Sequence, residues 1–173
     1  MYNKFVLKVK KICPAPGYIL DIGCGVGHDL RYFQECGWKV YGIDNNAGKI
    51  EKAKTSCGVN GVQVGDILQL PFRNEFFNVV YCRNVLHYLK IEEIPVAINE
   101  SLRVLKKNGY LFFMFFSTKD KARHGNTLFL SEQEVDGYFG NWTLIEKAEV
   151  SVEESHGGSG LHEHTFWQVI GKK

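Results

Sequence analysis

Three carboxylates stand where short apolar runs of this chain give out. Asp21 lies near the end of Tyr18-Ile19-Leu20-Asp21-Ile22, Asp44 follows Val40-Tyr41-Gly42-Ile43, and Asp66 follows Val62-Gln63-Val64-Gly65. Directly after the first run comes Gly23-Cys24-Gly25-Val26-Gly27, and His28 follows it. Glycines at that spacing let the backbone turn tightly and let a ligand come close without meeting a Cβ. A carboxylate beside such a turn attracts a cation and repels a phosphate. A second group of chemistry-bearing residues lies late in the chain, at His124, His156, His162 and His164, and His87 stands alone in Val85-Leu86-His87-Tyr88.

Two nucleotide cofactors compete for the glycine turn. The dinucleotide fingerprint GxGxxG, begun at Gly23, requires a glycine where the chain has His28. The spacing present is GxGxG, and Asp21 precedes it by two residues, an awkward neighbour for a pyrophosphate. S-adenosylmethionine carries an ammonium and a sulfonium instead, so Asp21 suits it. Asp44, with Asn45 beside it, is placed to accept both ribose hydroxyls, as the acidic residue does in dinucleotide sites. Asp66 can accept from the adenine amino group while Ile67 packs on the ring, and His28 is placed to touch the methionine part. The bland reading of Asp44 and Asp66 is that they cap loops or helices.

The elements that would hold these residues alternate. Lys4 to Ile12 reads as an opening helix, stopped by Pro14-Ala15-Pro16-Gly17. Tyr18–Ile22, Lys39–Ile43, Val62–Val64, Phe77–Cys82 and Tyr110–Phe116 read as buried strands. Asp29–Cys36 has apolar residues at 30, 33 and 36, a helical spacing, with Gly37 placed as its stop. Ala47–Ser56 reads as a helix before Gly58. Pro95 is well placed to open a helix on which Ile98, Leu102 and Leu105 share a face, with Asn108-Gly109 as its end. Ser131, with Glu134 three residues on, marks a capped helix to Phe139. Thr143–Val150 and Thr165–Ile170 close the chain as an antiparallel pair around Gly157-Gly158-Ser159-Gly160. This order predicts an α/β fold, a parallel sheet covered by helices on both faces. Ligands of such sheets bind at the carboxyl ends of the strands, where all three carboxylates stand.

The segments ILDIGCGVGHDL at 19–30, VYGID at 40–44, GDILQLPF at 65–72, FNVVYCRNVLHYL at 77–89 and RVLKKNGYLFF at 103–113 resemble those of class I S-adenosylmethionine-dependent methyltransferases. The resemblance spans nearly the whole chain. It implies one doubly wound, Rossmann-like domain over residues 1–173, with seven strands in the order 3-2-1-4-5-7-6 and strand 7 antiparallel. It also implies S-adenosylmethionine as cofactor and a contact to cofactor and substrate from the strand-four segment, here Cys82, Arg83 and Asn84. The C-terminal third, with FLSEQEVDGYFGNWTLIE and a short lysine ending, resembles the tellurite-resistance type.

Methyl transfer needs alignment of nucleophile, methyl and sulfur more than it needs acid catalysis, because the leaving thioether is neutral. A base is required only where the acceptor carries its proton near neutral pH. His124, His162 and His164 are the candidates for it. His162 and His164, two apart, would share one face of a strand. Ordinary polar residues at an edge strand, or a metal site with His156, are the other readings, and His-x-His lacks the usual cysteine or carboxylate partners of zinc; no metal is expected. His87 reads as a packed structural histidine, and Tyr88, Phe115, Phe116, Trp142 and Trp167 as core.

A formal charge of +2 over 173 residues is too mild to argue for nucleic acid. The strand-four segment lacks the prolines of DNA adenine enzymes, and Cys82 follows tyrosine rather than the proline of cytosine enzymes. No apolar run reaches the roughly 20 residues of a membrane span. Five cysteines, none in a CxxC pair, fit reduced thiols of a cytoplasmic protein. The expectation is a methyltransferase for a small-molecule acceptor, monomeric or homodimeric, without nucleic-acid or membrane partners. The alternatives are a non-catalytic S-adenosylmethionine-binding regulatory protein of the same fold and an NAD-dependent oxidoreductase.

Overall fold

The computed structural model describes residues 3–59, 61–121, 125, 127–140, 142–154 and 162–173. The chain opens with α1 (Lys4–Ile12), which is capped by Asn3 and buries Phe5, Val6 and Val9. It continues as β1 (Tyr18–Ile22), α2 (His28–Glu35), β2 (Lys39–Asp44), α3 (Ala47–Cys57), β3 (Val62–Val64) and β4 (Phe77–Arg83). Two short 3-10 turns, Leu86–Tyr88 and Ile91–Glu93, lead into α4 (Ile94–Val104). The remainder is β5 (Leu105–Phe116), α5 (Glu132–Phe139), β6 (Thr143–Glu154) and β7 (His162–Lys172).

The seven strands form one sheet in the order β3-β2-β1-β4-β5-β7-β6. β1 to β5 pair in parallel, and β7 runs antiparallel between β5 and β6. This is the Rossmann-like order expected. The chain winds outward from β1 to β3, then returns to place β4 on β1's other side. That reversal opens a crevice at the carboxyl ends of β1 and β4.

Alternation along the strands assigns each face its core. Leu20, Ile22, Val80, Cys82, Leu111, Phe113 and Phe115 pack under α4 and α5 against Ile94, Ile98, Val135 and Phe139. Ile19, Val79, Tyr81, Phe112 and Met114 face the other way, against Phe5, Val6 and Val9 of α1 and Phe33 of α2. Burying both faces explains why these strands are apolar nearly throughout. Trp167 is buried as expected, and Trp142 is partly buried against the first layer.

Several element boundaries differ from the sequence reading. α4 stops at Val104, not near Asn108, because the loop before β4 takes its last carbonyls. Glu75 N donates to Arg103 O at 2.9 Å and Phe76 N to Val104 O at 2.8 Å. Leu105 then pairs with Phe77 in the sheet, and Asn108, at φ +61°, absorbs a register shift before Tyr110 pairs with Val79. β6 and β7 run on to Glu154 and back from His162, longer than their apolar stretches suggested, because each completes the other's ladder. The glycines at 157–160 lie outside the described residues.

Candidate active site

Gly23, at φ +70°, begins the turn after β1; a Cβ there would meet Val85 Cγ2 at 2.1 Å, so only glycine fits. Gly27, at φ +91°, ends the turn as the N-cap of α2, and a Cβ there would stand 2.6 Å from Cys57 Sγ. Between them the backbone is pinned to its neighbours. Gly23 N and Cys24 N both donate to Ile43 O, at 2.8 and 2.9 Å, and Gly25 N donates to Asp44 Oδ2 at 3.0 Å. Asp44 Oδ1 accepts from Asn46 N at 2.9 Å, and Asn46 in turn caps α3. Asp44 therefore does the capping work that the bland reading foresaw, and it also faces a cavity. Each of its oxygens keeps a second lone pair for a ligand.

That cavity holds about 640 Å³ at the carboxyl ends of β1 to β4. Its walls include Gly23, Gly25, Asp44, Asn45, Asp66, Ile67, Arg83 and Asn84 from the sequence prediction. A smaller cavity of about 280 Å³ adjoins it, lined by Asp21, Cys24, His28 and Asp29 and sharing Gly23, Gly25, Lys49 and Arg83 with the first. Asp66 is exposed, with Oδ1 accepting from Leu68 N at 2.9 Å, and Ile67 is buried beside it. Asn84, at φ +60°, has its side-chain oxygen buried with no hydrogen-bond partner among the described residues.

Charge is concentrated around the smaller cavity. Asp21 is 3% exposed, and burial, then the nearby Asp29 and Asp44 charges, push its carboxyl well above the usual carboxylate range against the pull of Arg83. Arg83 Nε donates to Asp29 Oδ2 at 2.8 Å, and Tyr81 OH donates to the same oxygen at 3.1 Å. Burial works against the Arg83 charge, but Asp29, Tyr81 and Asp21 outweigh it and hold the guanidinium charged.

Two predicted contacts line neither cavity. Cys82 is wholly buried in the layer under α4 and α5, because strand alternation turns Tyr81 and Arg83 toward α2 and Cys82 away. Gly27 is buried where the turn enters α2 and shapes the site from behind. Conversely, Asp29 and Lys49, which line the cavities, went unmarked because a lone acid or lysine in a first helical turn looks like any solvated residue. Tyr88, expected in the core, is 79% exposed and lines the larger cavity with Val85 and Leu89.

His162 and His164, of the late histidines, lie at the same end of the sheet. β7 runs against β5, so its beginning, not its end, reaches the carboxyl edge. His164 is buried, with Nδ1 3.0 Å from Asp120 Oδ2, which also accepts from Thr165 N at 2.7 Å. The His162 ring stands edge-on to His164 at 4.7 Å, so the two do share a face. Phe116 lies between His164 and His87, with centroids 5.1 and 4.5 Å away. His87 is buried as the sequence suggested, and burial, then His164, press its pKa down to about 4. His124 and His156 lie outside the described residues. No group of three or more metal-ligating side chains occurs among the described residues.

A family model described as a methyltransferase domain matches residues 20–113, from β1 through most of β5. The chain belongs to this methyltransferase family. Membership implies S-adenosylmethionine as the cofactor, and the residues present fit it. A buried carboxylate and acidic neighbours surround a cavity of amino-acid size, joined to a larger one with Asp44 and Asp66 on its walls. An uncharacterized methyltransferase of Anoxybacillus flavithermus is 33% identical over 95 residues, 55% of this chain and 45% of that protein. A "Probable tRNA methyltransferase 9B" of Bos taurus is 33% identical over 112 residues, 63% of this chain and 24% of that protein. The chain spans less than half the length of the first curated relatives it matches. TehB from Haemophilus influenzae shares the fold at a TM-score of 0.84 and 20% identity, over 99% of this chain and 62% of TehB.

Proposed function

We propose that this chain binds S-adenosylmethionine across the two joined cavities and serves methyl transfer to a small acceptor. The observation that carries the reading is the convergence of Asp21, Asp44 and Asp66, from three strand ends, on one crevice. S-adenosylmethionine supplies a methyl group on a positively charged sulfur. The chain's own residues do the rest. Asp21 offers a desolvated carboxylate to the ammonium. Asp44 offers its spare lone pairs to ribose hydroxyls, from a position that two backbone amides already fix. Asp66 and Ile67 receive the adenine, and Val85, Tyr88 and Leu89 wall the larger cavity against water. Such fixed positioning lowers the barrier by bringing the reactants into line.

The acidic cofactor crevice disfavours a pyrophosphate-bearing cofactor such as NAD, and a formal charge of only +2 offers little attraction for a polyanionic acceptor such as RNA. The histidine group beyond His87, with His162 and His164, supports an acceptor site on that side. Incubation with labelled S-adenosylmethionine and a panel of thiols, a metalloid oxyanion and bulk tRNA tests the reading. Label in a small acceptor is expected. Label in tRNA alone removes the small-acceptor reading, and tight cofactor binding with no transfer turns the protein into a regulatory binder. Asp44→Ala should weaken S-adenosylhomocysteine by roughly 1–3 kcal/mol in calorimetric titration, and unchanged affinity refutes the ribose role.

A further inference from the structure

A further cavity lies at the amino ends of β4 and β5, at the far end of the sheet from the crevice, and holds about 340 Å³. A step in strand pairing shapes it. Leu105 pairs with Phe77 and Tyr110 with Val79, so residues 106–109 bulge against the single residue Asn78. Gly109 lets the chain return to the sheet; a Cβ there would meet Leu105 Cδ1 at 2.7 Å and Asn78 O at 3.0 Å. Cys13, Trp38 and Val79, all buried, line the inner wall, with the half-buried Tyr110 beside them. Burial pushes the Cys13 thiol up to about 12, so this wall carries no charge at neutral pH. The pocket shares no lining residue with the two cavities at the glycine turn.

Its rim is cationic. Lys106 and Lys107 line it, and among the described residues no carboxylate does. Lys106 is held in place: Nζ donates to Asn78 Oδ1 at 3.1 Å and stands 5.3 Å from the centre of the Tyr18 ring. An ammonium has three donors, so Lys106 keeps N–H groups for a ligand after the Asn78 bond. Lys107 is exposed, and Lys172 Nζ stands 5.7 Å over the Tyr110 ring. Glu75, an acid at the same end, is paired with Lys173 at 3.7 Å. An apolar wall with a few convergent polar groups is the usual make-up of a small-molecule site. A cavity of roughly 150 Å³ takes one benzene ring, so this pocket has room for one or two rings and a head group. We propose that it is a second ligand site, for a small aromatic acid whose rings lie on Trp38 and Tyr110 and whose carboxylate meets Lys106 and Lys107.

Amide NMR spectra of the isotope-labelled whole chain test this by titration with three probes that share one ring system. The probes are naphthoate, naphthylmethanol and naphthylmethylamine, with negative, neutral and positive head groups. Naphthoate should move the Trp38 indole signal and the amides of residues 106–110, and leave Gly23 and Gly25 in place. It should bind roughly three- to tenfold more tightly than naphthylmethanol, the scale of one or two partly exposed lysine charges, and naphthylmethylamine should bind most weakly. Lys107→Glu, at an exposed position, should weaken naphthoate by about threefold or more and leave naphthylmethanol unchanged. Replacing both lysines, Lys106→Gln with Lys107→Gln, should erase the preference for the acid. Equal affinity for the three probes overturns the proposal, as does naphthoate that moves only the glycine-turn signals or moves none at millimolar concentration. These arms need no variant to fold. Naphthoate affinity that survives both lysine replacements overturns it as well. No outcome depends on cofactor binding, so the pocket stands or falls apart from the methyl-transfer reading.

Discussion

Asp21 is a carboxylate that the fold keeps from ionising freely, and that has a measurable sign. Its pKa in the folded protein lies above the ordinary aspartate value, because burial and the Asp29 and Asp44 charges raise it. The folded chain thus holds a proton that the unfolded chain has already released. Asp21 therefore subtracts stability as pH rises from the ordinary aspartate value through its raised one. A cationic ligand reverses the shift. Binding of S-adenosylhomocysteine should release a proton within that window, seen as a binding enthalpy that varies with the buffer's ionisation enthalpy, and Asp21→Asn should abolish the release. His87 has the opposite linkage. Its pKa, lowered to about 4, lets the unfolded chain bind a proton that the folded one refuses. Stability is then fully present above about pH 6.5 and declines toward pH 4, by up to about 3 kcal/mol. His87→Phe should flatten that decline in denaturation curves taken across the range. Asp21, Asp44 and Asp66 were legible in the sequence because each ends an apolar run. Arg83 and Asn84 came from resemblance alone, and Asp29, Asp120 and Lys49 left no mark, since their partners lie 44 to 54 positions away or across the fold.

Among the elements, α5 shows a local signal read correctly. Glu134 N donates to Ser131 Oγ at 3.3 Å and Ser131 N to Glu134 Oε2 at 2.7 Å, the reciprocal bonds of a capping box. Ser131→Ala should cost about 1 kcal/mol in chemical denaturation, with cofactor affinity unchanged because α5 touches neither cavity. The two strand termini and the α4 boundary were misread for one shared reason. Their ends are set by hydrogen bonds from distant segments: Glu75 and Phe76 onto α4, and β7 onto β6. Cys82 failed differently. Alternation along β4 was readable, but which face belonged to α2 depends on the packing of Tyr81 and Phe33, whose rings meet at 5.1 Å.

At the scale of the whole molecule, one sheet is buried on both faces, and its strand order carries the reversal that opens the crevice. That order was implied by resemblance, and the alternation of elements supported its parallel part. Phe112 lies fully buried against α1, in edge contact with Phe5 at 6.2 Å. Phe112→Ala should destabilise the fold by about 3–5 kcal/mol, lowering the denaturation midpoint with an unchanged slope. No helix among the described residues is long and apolar enough to cross a membrane. The antiparallel course of β7 separates the two ends of that strand by the height of the sheet. Lys173 N donates to Gly109 O, and Asn108 N to Lys173 O, both at 3.0 Å, at the edge remote from the crevice. A fluorophore or surface tether attached beyond Lys173 would hang from the underside, leaving the mouth open to solvent for single-molecule or immobilised assays.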